Sequence, residues 1–359
     1  MPQRFQLMRR AALRSGSALS QVRSARILNE FLYKLSPQAT RKEEEKEMLM
    51  KTANHNSTTL QSQSTRARRY RFGLALALAA CICSLQLAAS AKTLVAGPAL
   101  TQIAAGSTQV WGLDAAGNVY HYSGGTFNLV PGANFKQIAV GLGTDVWGLG
   151  PKGHAFQWNA SGKTFSEVSP TFVFASIATG KGGTWAMDLK GRIYYYSQVP
   201  NEFQLFKNPD GTKPPTATAL YVGGAAEAVW ILDNGTPRMP HLYNTITKFF
   251  DGVGTPLQQI AVGYNHVWGL DPSNDVREYV TKPTFEFQLV PSVLMTQLTI
   301  TSDSELWAIS DGNHAVYHYE TVPKRFDLVD DSEDYVQITA GNSTIGVWAI
   351  TNNHLIYKF

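Results

Sequence analysis

One residue type recurs along this chain at nearly constant spacing. Trp111, Trp147, Trp185, Trp230, Trp268, Trp307 and Trp348 follow one another at 36, 38, 45, 38, 39 and 41 residues. Most stand in Val-Trp-Gly-Leu-Asp or a close variant, and Trp158 alone lies outside the series. A period near 40, filled with short apolar runs and glycine turns, belongs to a propeller-type array and not to a chain folded once around a single core. Each unit has a face it cannot bury alone, so neighbouring units must cover it.

The second copy shows the unit. Phe135–Gly141, Val146–Leu149, Ala155–Trp158 and Thr164–Val168 read as four strands, punctuated by Gly143, Gly153, Gly162 and Pro170. Short runs between glycine, proline, asparagine and aspartate are an all-β signature, and four strands per unit make a propeller blade. First strands such as Gln102–Gly106, Ser176–Gly180, Gln259–Gly263 and Gln337–Gly341 end in small residues, as crowding around a central axis requires. Third strands are aromatic (Val119–Tyr122, Ile193–Tyr196, Val316–Tyr319). Fourth strands begin on phenylalanine (Phe127, Phe203, Phe287, Phe326). Blade six departs at Gln297–Thr301 and lacks the usual glycine, and Lys207–Pro215 is an insertion that explains the longest gap.

The last copy stops at Phe359 with three strands. Thr93–Gly97 matches the fourth-strand pattern Asn128–Gly132 but has no blade in front of it. The expectation is an all-β, seven-bladed propeller of residues 92–359, its last blade completed by the N-terminal strand. Such closure removes the two unpaired sheet edges of an open array. Six blades, with one degenerate copy, is the alternative.

Charge divides the chain. The first 91 residues hold 15 of the 31 Lys and Arg and 5 of the 27 Asp and Glu, which leaves 92–359 with 16 basic and 22 acidic residues, formally −6. Without a basic face to neutralise phosphates, nucleic acid is not an expected partner. Both cysteines, Cys81 and Cys83, precede the propeller, so it holds no disulfide, thiol nucleophile or thiolate metal ligand.

Within 48–91, Arg66–Arg71 precede an apolar run from Phe72 to Leu87, and Ala89-Ser-Ala91 follows. That order describes a secretory signal peptide cut before Lys92, and hence a secreted, periplasmic or extracellular protein. About 18 apolar residues are also borderline for a membrane anchor, so an uncleaved leader is the one route to a membrane. Leu78-Ala-Ala-Cys81 resembles a lipobox. Residues 1–47 sit awkwardly before a signal peptide. They read as an upstream extension to a true start at Met48 or Met50, or as an organellar presequence.

No nucleophile elbow, zinc-protease, P-loop or dinucleotide fingerprint occurs. His121, His154, His241, His266, His314, His318 and His354 do not fall at equivalent positions as an axial metal site requires, although His121 and His318 align on third strands. Asp114, Asp188, Asp233, Asp271 and Asp311 lie at or near second-strand ends, where turn chemistry is the plain reading. No catalysis, metal or cofactor is expected. The repeat tryptophans read first as plates packing blade on blade, and second as edges free to stack on a sugar ring or methyl group.

Ile-Ala-x-Gly, a polar loop, Val-Trp-Gly-Leu-Asp and Val-Tyr-x-Tyr together resemble tectonin repeats, across nearly all of 93–359. The resemblance to the tectonin, tachylectin-1 and fish egg lectin group implies glycan binding, methylated sugars and lipopolysaccharide included, through repeated shallow sites and without catalysis. Blades four and six, with Trp230-Ile-Leu and Trp307-Ala-Ile, diverge and are expected to carry dead sites. The candidate ligand-binding residues are Trp111, Trp147 and Trp268 with the loops between first and second strands: Thr108, Gln109, Thr144, Asp145, Asn265, His266, Ser343 and Thr344. Variable polar loops on a fixed frame are where recognition usually sits. A secreted lectin is the leading reading; a protein-interaction propeller without sugar specificity is the alternative, since tectonin-type repeats also occur in scaffolds.

Overall fold

The computed structural model describes residues 92–223, 229–281 and 284–359. The upstream extension and signal peptide assigned to 1–47 and 48–91 lie outside the described residues. The described residues form 28 strands in seven four-stranded antiparallel sheets. Seven sheets exclude the six-bladed alternative. No helix among the described residues is long and apolar enough to cross a membrane.

Blade one comprises β2 (Leu100–Ala105), β3 (Val110–Asp114), β4 (Asn118–Ser123) and β5 (Thr126–Asn134), paired in chain order. Blades two to six repeat that order. Blade seven comprises β26 (Tyr335–Ala340), β27 (Val347–Thr351) and β28 (Ile356–Lys358), with β1 (Thr93–Val95) as its outer strand. Thr93 faces Lys358, Leu94 faces Tyr357 and Val95 faces Ile356. The divergent first strand of blade six is a regular inner strand, Met295–Ile300. The Lys207–Pro215 insertion runs between the outer strand of blade three and the inner strand of blade four.

The core is divided among the junctions. Seven clusters of buried apolar residues each draw on two adjacent blades, such as Trp147, Leu149 and Val168 of blade two with Phe174, Ile177 and Phe203 of blade three. At the axis the backbones meet directly. A Cβ on Gly106 would stand 2.3 Å from the Gly141 carbonyl, and one on Gly341 would stand 2.6 Å from the Gly106 carbonyl. Only glycine permits that approach, at the junction of blades one and two and again where blade seven meets blade one. The channel mouth at this end is about 130 Å³.

The inner strands have a second requirement. Their inward edges carry backbone groups that no further strand can pair. Glutamine meets it. Gln337 of blade seven accepts the Ile103 N–H at 2.9 Å and donates to the Ile103 carbonyl at 3.1 Å. Gln137 does the same for Ile177 of blade three, and Gln259 for Leu298 of blade six. Gln102 and Gln297 accept the N–H of Ile138 and Ile338. A register shift just before the glutamine position of β2 and β26 re-aims the side chain toward the next blade. Blade four has Ala219 at this position, with Tyr221 two residues on and its hydroxyl near the Ile260 backbone. Burial pushes that hydroxyl up to about 12. Blade three has Ser176 there.

Removing such a clamp strands two buried backbone groups. Gln337→Ala and Gln137→Ala are each expected to lower unfolding free energy by about 1–3 kcal/mol in denaturant titrations. Gln198→Ala, at an exposed hairpin position, is expected to change it by less than about 0.5 kcal/mol.

Candidate functional site

In an antiparallel blade the loop from first to second strand and the hairpin from third to fourth emerge on the same side. The first-to-second loops ring the channel mouth, whose lining includes Ser107, Leu142, Gly180, Gly263, Ser302 and Gly341. The predicted loop residues belong to this collar. Thr108, Thr144, Asn265, His266, Ser343 and Thr344 are exposed, and Gln109 and Asp145 are half-buried.

The loops are pinned to one another. The Thr108 hydroxyl and the Gln109 amide both donate to the Gly143 carbonyl of blade two, at 2.7 and 2.8 Å, and the Gly143 N–H returns a bond to Ser107. The Asn265 N–H reaches Ser304 of blade six, and the Ser343 N–H reaches the Asp303 carboxylate at 2.8 Å. Thr344 donates its N–H to Asn342, and His266 pairs with Glu278 at 3.1 Å. Asp145 is turned inward, accepting the Trp147 indole N–H at 2.7 Å and the Thr179 hydroxyl of blade three. Gln109 likewise accepts the Trp111 indole N–H. These two side chains serve the frame, while the six exposed ones face solvent.

The tryptophans require a correction. Trp111 and Trp147 have no accessible surface and Trp268 is 3% exposed, so none presents an edge to a ligand. The reason lies in the following blade. Trp111 meets Trp158 and Phe165 edge-on, at centroid distances of 4.8 and 5.6 Å. Trp147 meets Tyr196 and Phe203, Trp230 meets Tyr279 and Phe287, and Trp348 meets Tyr122 and Phe127 in the same manner. An aromatic from the third strand and a phenylalanine from the fourth close over the indole.

The second-strand aspartates cap turns. Asp114 accepts the Ala116 and Asn118 N–H groups, the Asn118 amide and the Tyr120 hydroxyl. Burial opposes its ionisation, but those bonds together hold its pKa below the usual carboxylate value. Asp188 and Asp233 repeat the arrangement with Arg192 and His241. Asp271 takes the Ser273 and Asp275 N–H groups and Arg277. Asp311, one position further along, instead accepts from Asn274 at 3.2 Å. Among the described residues no three His, Cys, Asp or Glu are grouped to hold a metal.

Sequence reasoning missed the glutamine clamps and also Trp307, the partly buried member of the tryptophan series. Its signal was present: aligning Lys92-Thr-Leu-Val with Phe127-Asn-Leu-Val puts a lysine where the covering phenylalanine belongs.

Seven radial sheets, closed in a ring and carrying a collar of pinned loops at one mouth, define a seven-bladed β-propeller. The Tectonin domain family model matches residues 99–208, which span blades one to three. That match, together with the seven-bladed ring, supports a tectonin-repeat β-propeller. No curated protein sequence matches it. Among solved structures it is similar to YCF48 from Cyanidioschyzon merolae, at 13% identity and a TM-score of 0.57 over 75% of this chain and 98% of that one. Prp20p from Saccharomyces cerevisiae follows the same path at 12% identity and 0.51, over 71% and 81%. The β-propeller domain of Myceliophteria thermophila Cps50 (Swd1) does so at 9% and 0.55, over 74% and 98%. At these identities the likeness is one of fold.

The stacked pair Trp111–His121, 4.4 Å apart and 21° from parallel, carries a pH-dependent consequence. Burial lowers the His121 pKa. In the unfolded chain the ring protonates below about pH 6.5. The unfolded state then binds more protons, so stability falls as pH drops through that value and levels off below the folded-state pKa. His121→Phe is expected to gain stability relative to the parent as pH falls from 7 to 5, read from denaturation midpoints across that range.

Proposed function

We propose that this protein is a lectin: a secreted propeller that binds surface glycans and makes or breaks no bond. The exposed side of the loop collar carries the reading. Thr108, Thr144, Asn265, Ser343 and Thr344 offer hydroxyl and amide groups, with the His266 imidazole, on loops held by bonds across blade junctions. Such groups suit a polyhydroxylated ligand, and holding them in place beforehand reduces the ordering entropy lost on binding. A formal −6 over 92–359 favours neutral sugars over polyanions. The Tectonin match supports the reading, and methylated sugars and lipopolysaccharide sugars are the ligand classes to try first. Turn-capping second-strand aspartates support a non-catalytic role, and the leader ending at Ala91 supports the secreted address.

A protein-binding scaffold is the second reading, and a different observation favours it. Val199, Ile246 and Val322 occupy the same position in the third-to-fourth hairpins of blades three, four and six, at 87, 89 and 86% exposure. Three aliphatic tips on the collar side are anchors for a partner surface. Two similar propellers have protein or peptide partners: YCF48 bound to D1 peptide, and Prp20p with Gsp1p and histones.

A glycan array probed with the full chain separates the two. Binding that free sugar competes away, and that survives Val199→Asp, Ile246→Asp and Val322→Asp combined, is the expected result. A folded chain silent on the array, with a secreted-fraction partner lost in the triple variant, would establish the scaffold reading.

A further inference from the structure

The aromatic cover over the repeat tryptophan is complete at every junction but one. Trp111, Trp147, Trp185, Trp230, Trp268 and Trp348 are at most 6% exposed. The phenylalanines that cover them are Phe165, Phe203, Phe250, Phe287, Phe326 and Phe127. Between blades six and seven the register gives Lys92 this position. Thr93 opposes Lys358 and Leu94 opposes Tyr357, as Asn128 opposes His121 and Leu129 opposes Tyr120. The Lys92 ammonium turns away, to the Asp330 carboxylate at 2.7 Å and over the Tyr357 ring at 4.5 Å. Phe359 remains near Trp307, at 6.0 Å, and Trp307 is only partly buried.

Two polar atoms at this junction also lack partners. Trp307 Nε1 and His318 Nε2 are buried and unpaired, on rings 4.7 Å apart. His318 Nδ1 lies 3.0 Å from the Glu320 carboxylate and donates to it, so in the neutral ring Nε2 is an acceptor. The Trp307 indole is a donor. Trp111 satisfies its indole with Gln109 two residues earlier, whereas Trp230, Trp268 and Trp307 leave theirs unpaired, and of these three only Trp307 has lost its phenylalanine cover. A partly covered indole with an unmet N–H thus stands beside an unmet acceptor.

We propose that the junction of blades six and seven is a sugar site, whose ligand is a pyranose stacking its C–H face on Trp307 where the other blades place phenylalanine. One ring hydroxyl accepts from Trp307 Nε1 and donates to His318 Nε2. A hydroxyl does both at once, and a purely apolar ligand does neither. Solvent does not reach the two atoms in the free chain, so seating the sugar includes a small parting of the two rings. The proposal rests on the lectin reading and gives it one defined seat, in a blade whose Trp-Ala-Ile wording pointed the other way.

The test is a tryptophan-fluorescence titration of the full chain with methyl α-glucoside, methyl α-mannoside and N-acetylglucosamine, alongside the glycan array. Saturable binding with one strong equivalent per chain is expected. Lys92→Phe restores the missing cover and Trp307→Phe removes the indole. Each is expected to weaken binding by at least about tenfold, with the Lys92→Phe chain retaining its unfolding midpoint. If wild type and both variants bind sugar alike, the seat is elsewhere; this inference falls and the lectin reading stands. If neither the probes nor any array glycan binds the folded wild type, both fall.

Discussion

Each blade of this propeller is finished by the next. The tryptophan of one second strand is closed over by the third-strand aromatic and fourth-strand phenylalanine of its neighbour, as Trp147 is by Tyr196 and Phe203. Edge-on aromatic pairs contribute about 0.5–1.5 kcal/mol each beyond the area they bury. A blade in isolation would expose its indole and much of its apolar face, so stability resides in the junctions and in closing the ring. Two further devices serve the same end. Glycine lets inner strands touch at the axis, as at Gly106 and Gly341, and glutamine amides occupy the hydrogen-bonding edge those strands would otherwise leave unpaired.

Much of this was legible in the sequence because it is written in periodicity. Val146–Leu149 was bounded correctly from its flanking turns, and the match of Thr93–Gly97 to Asn128–Gly132 pointed to the strand that now pairs with Ile356–Lys358. What was not legible depends on two residues far apart in the chain. Whether Trp111 is a buried plate or an open one is decided by Trp158 and Phe165 in the next repeat, and the motif around Trp111 contains no trace of them. The glutamines were in plain view in Gln-Ile-Ala, but a polar residue in an inner strand declares no partner until the adjacent backbone is placed. The Tyr221 hydroxyl makes the point sharply. It lies near the Ile260 backbone from a different strand position, so no alignment of repeats would equate it with Gln102.

The candidate loops lie at the channel mouth, and two of their side chains, Gln109 and Asp145, are taken up by the frame. Gln109 and Asp145 looked like ligand contacts because they are polar, variable and adjacent to tryptophan. Adjacency to tryptophan is the reason they are occupied: each accepts its indole N–H. The exposed polar residues one step away are Thr108, whose hydroxyl is itself donated to the Gly143 carbonyl, and Thr144.

That outcome bears on how a repeat array acquires a specific site. Features present in every blade are the ones the junctions consume, so the strictest part of the motif is the least available for recognition. Availability arises where the pattern is broken, and the break here follows from how the ring closes. The blade completed by β1 takes its fourth strand from the other end of the propeller, and that strand brings Lys92 in place of phenylalanine. The exposed loops differ from blade to blade as well, Thr108 and Thr144 in two, Asn265 and His266 in a third, Ser343 and Thr344 in a fourth, and so do not define identical seats. Avidity from a ring of equal weak sites requires geometry that repeats. On the proposal of a single sugar seat between blades six and seven, avidity comes from the density of sugars on the target or from assembling several chains, not from the sevenfold repeat.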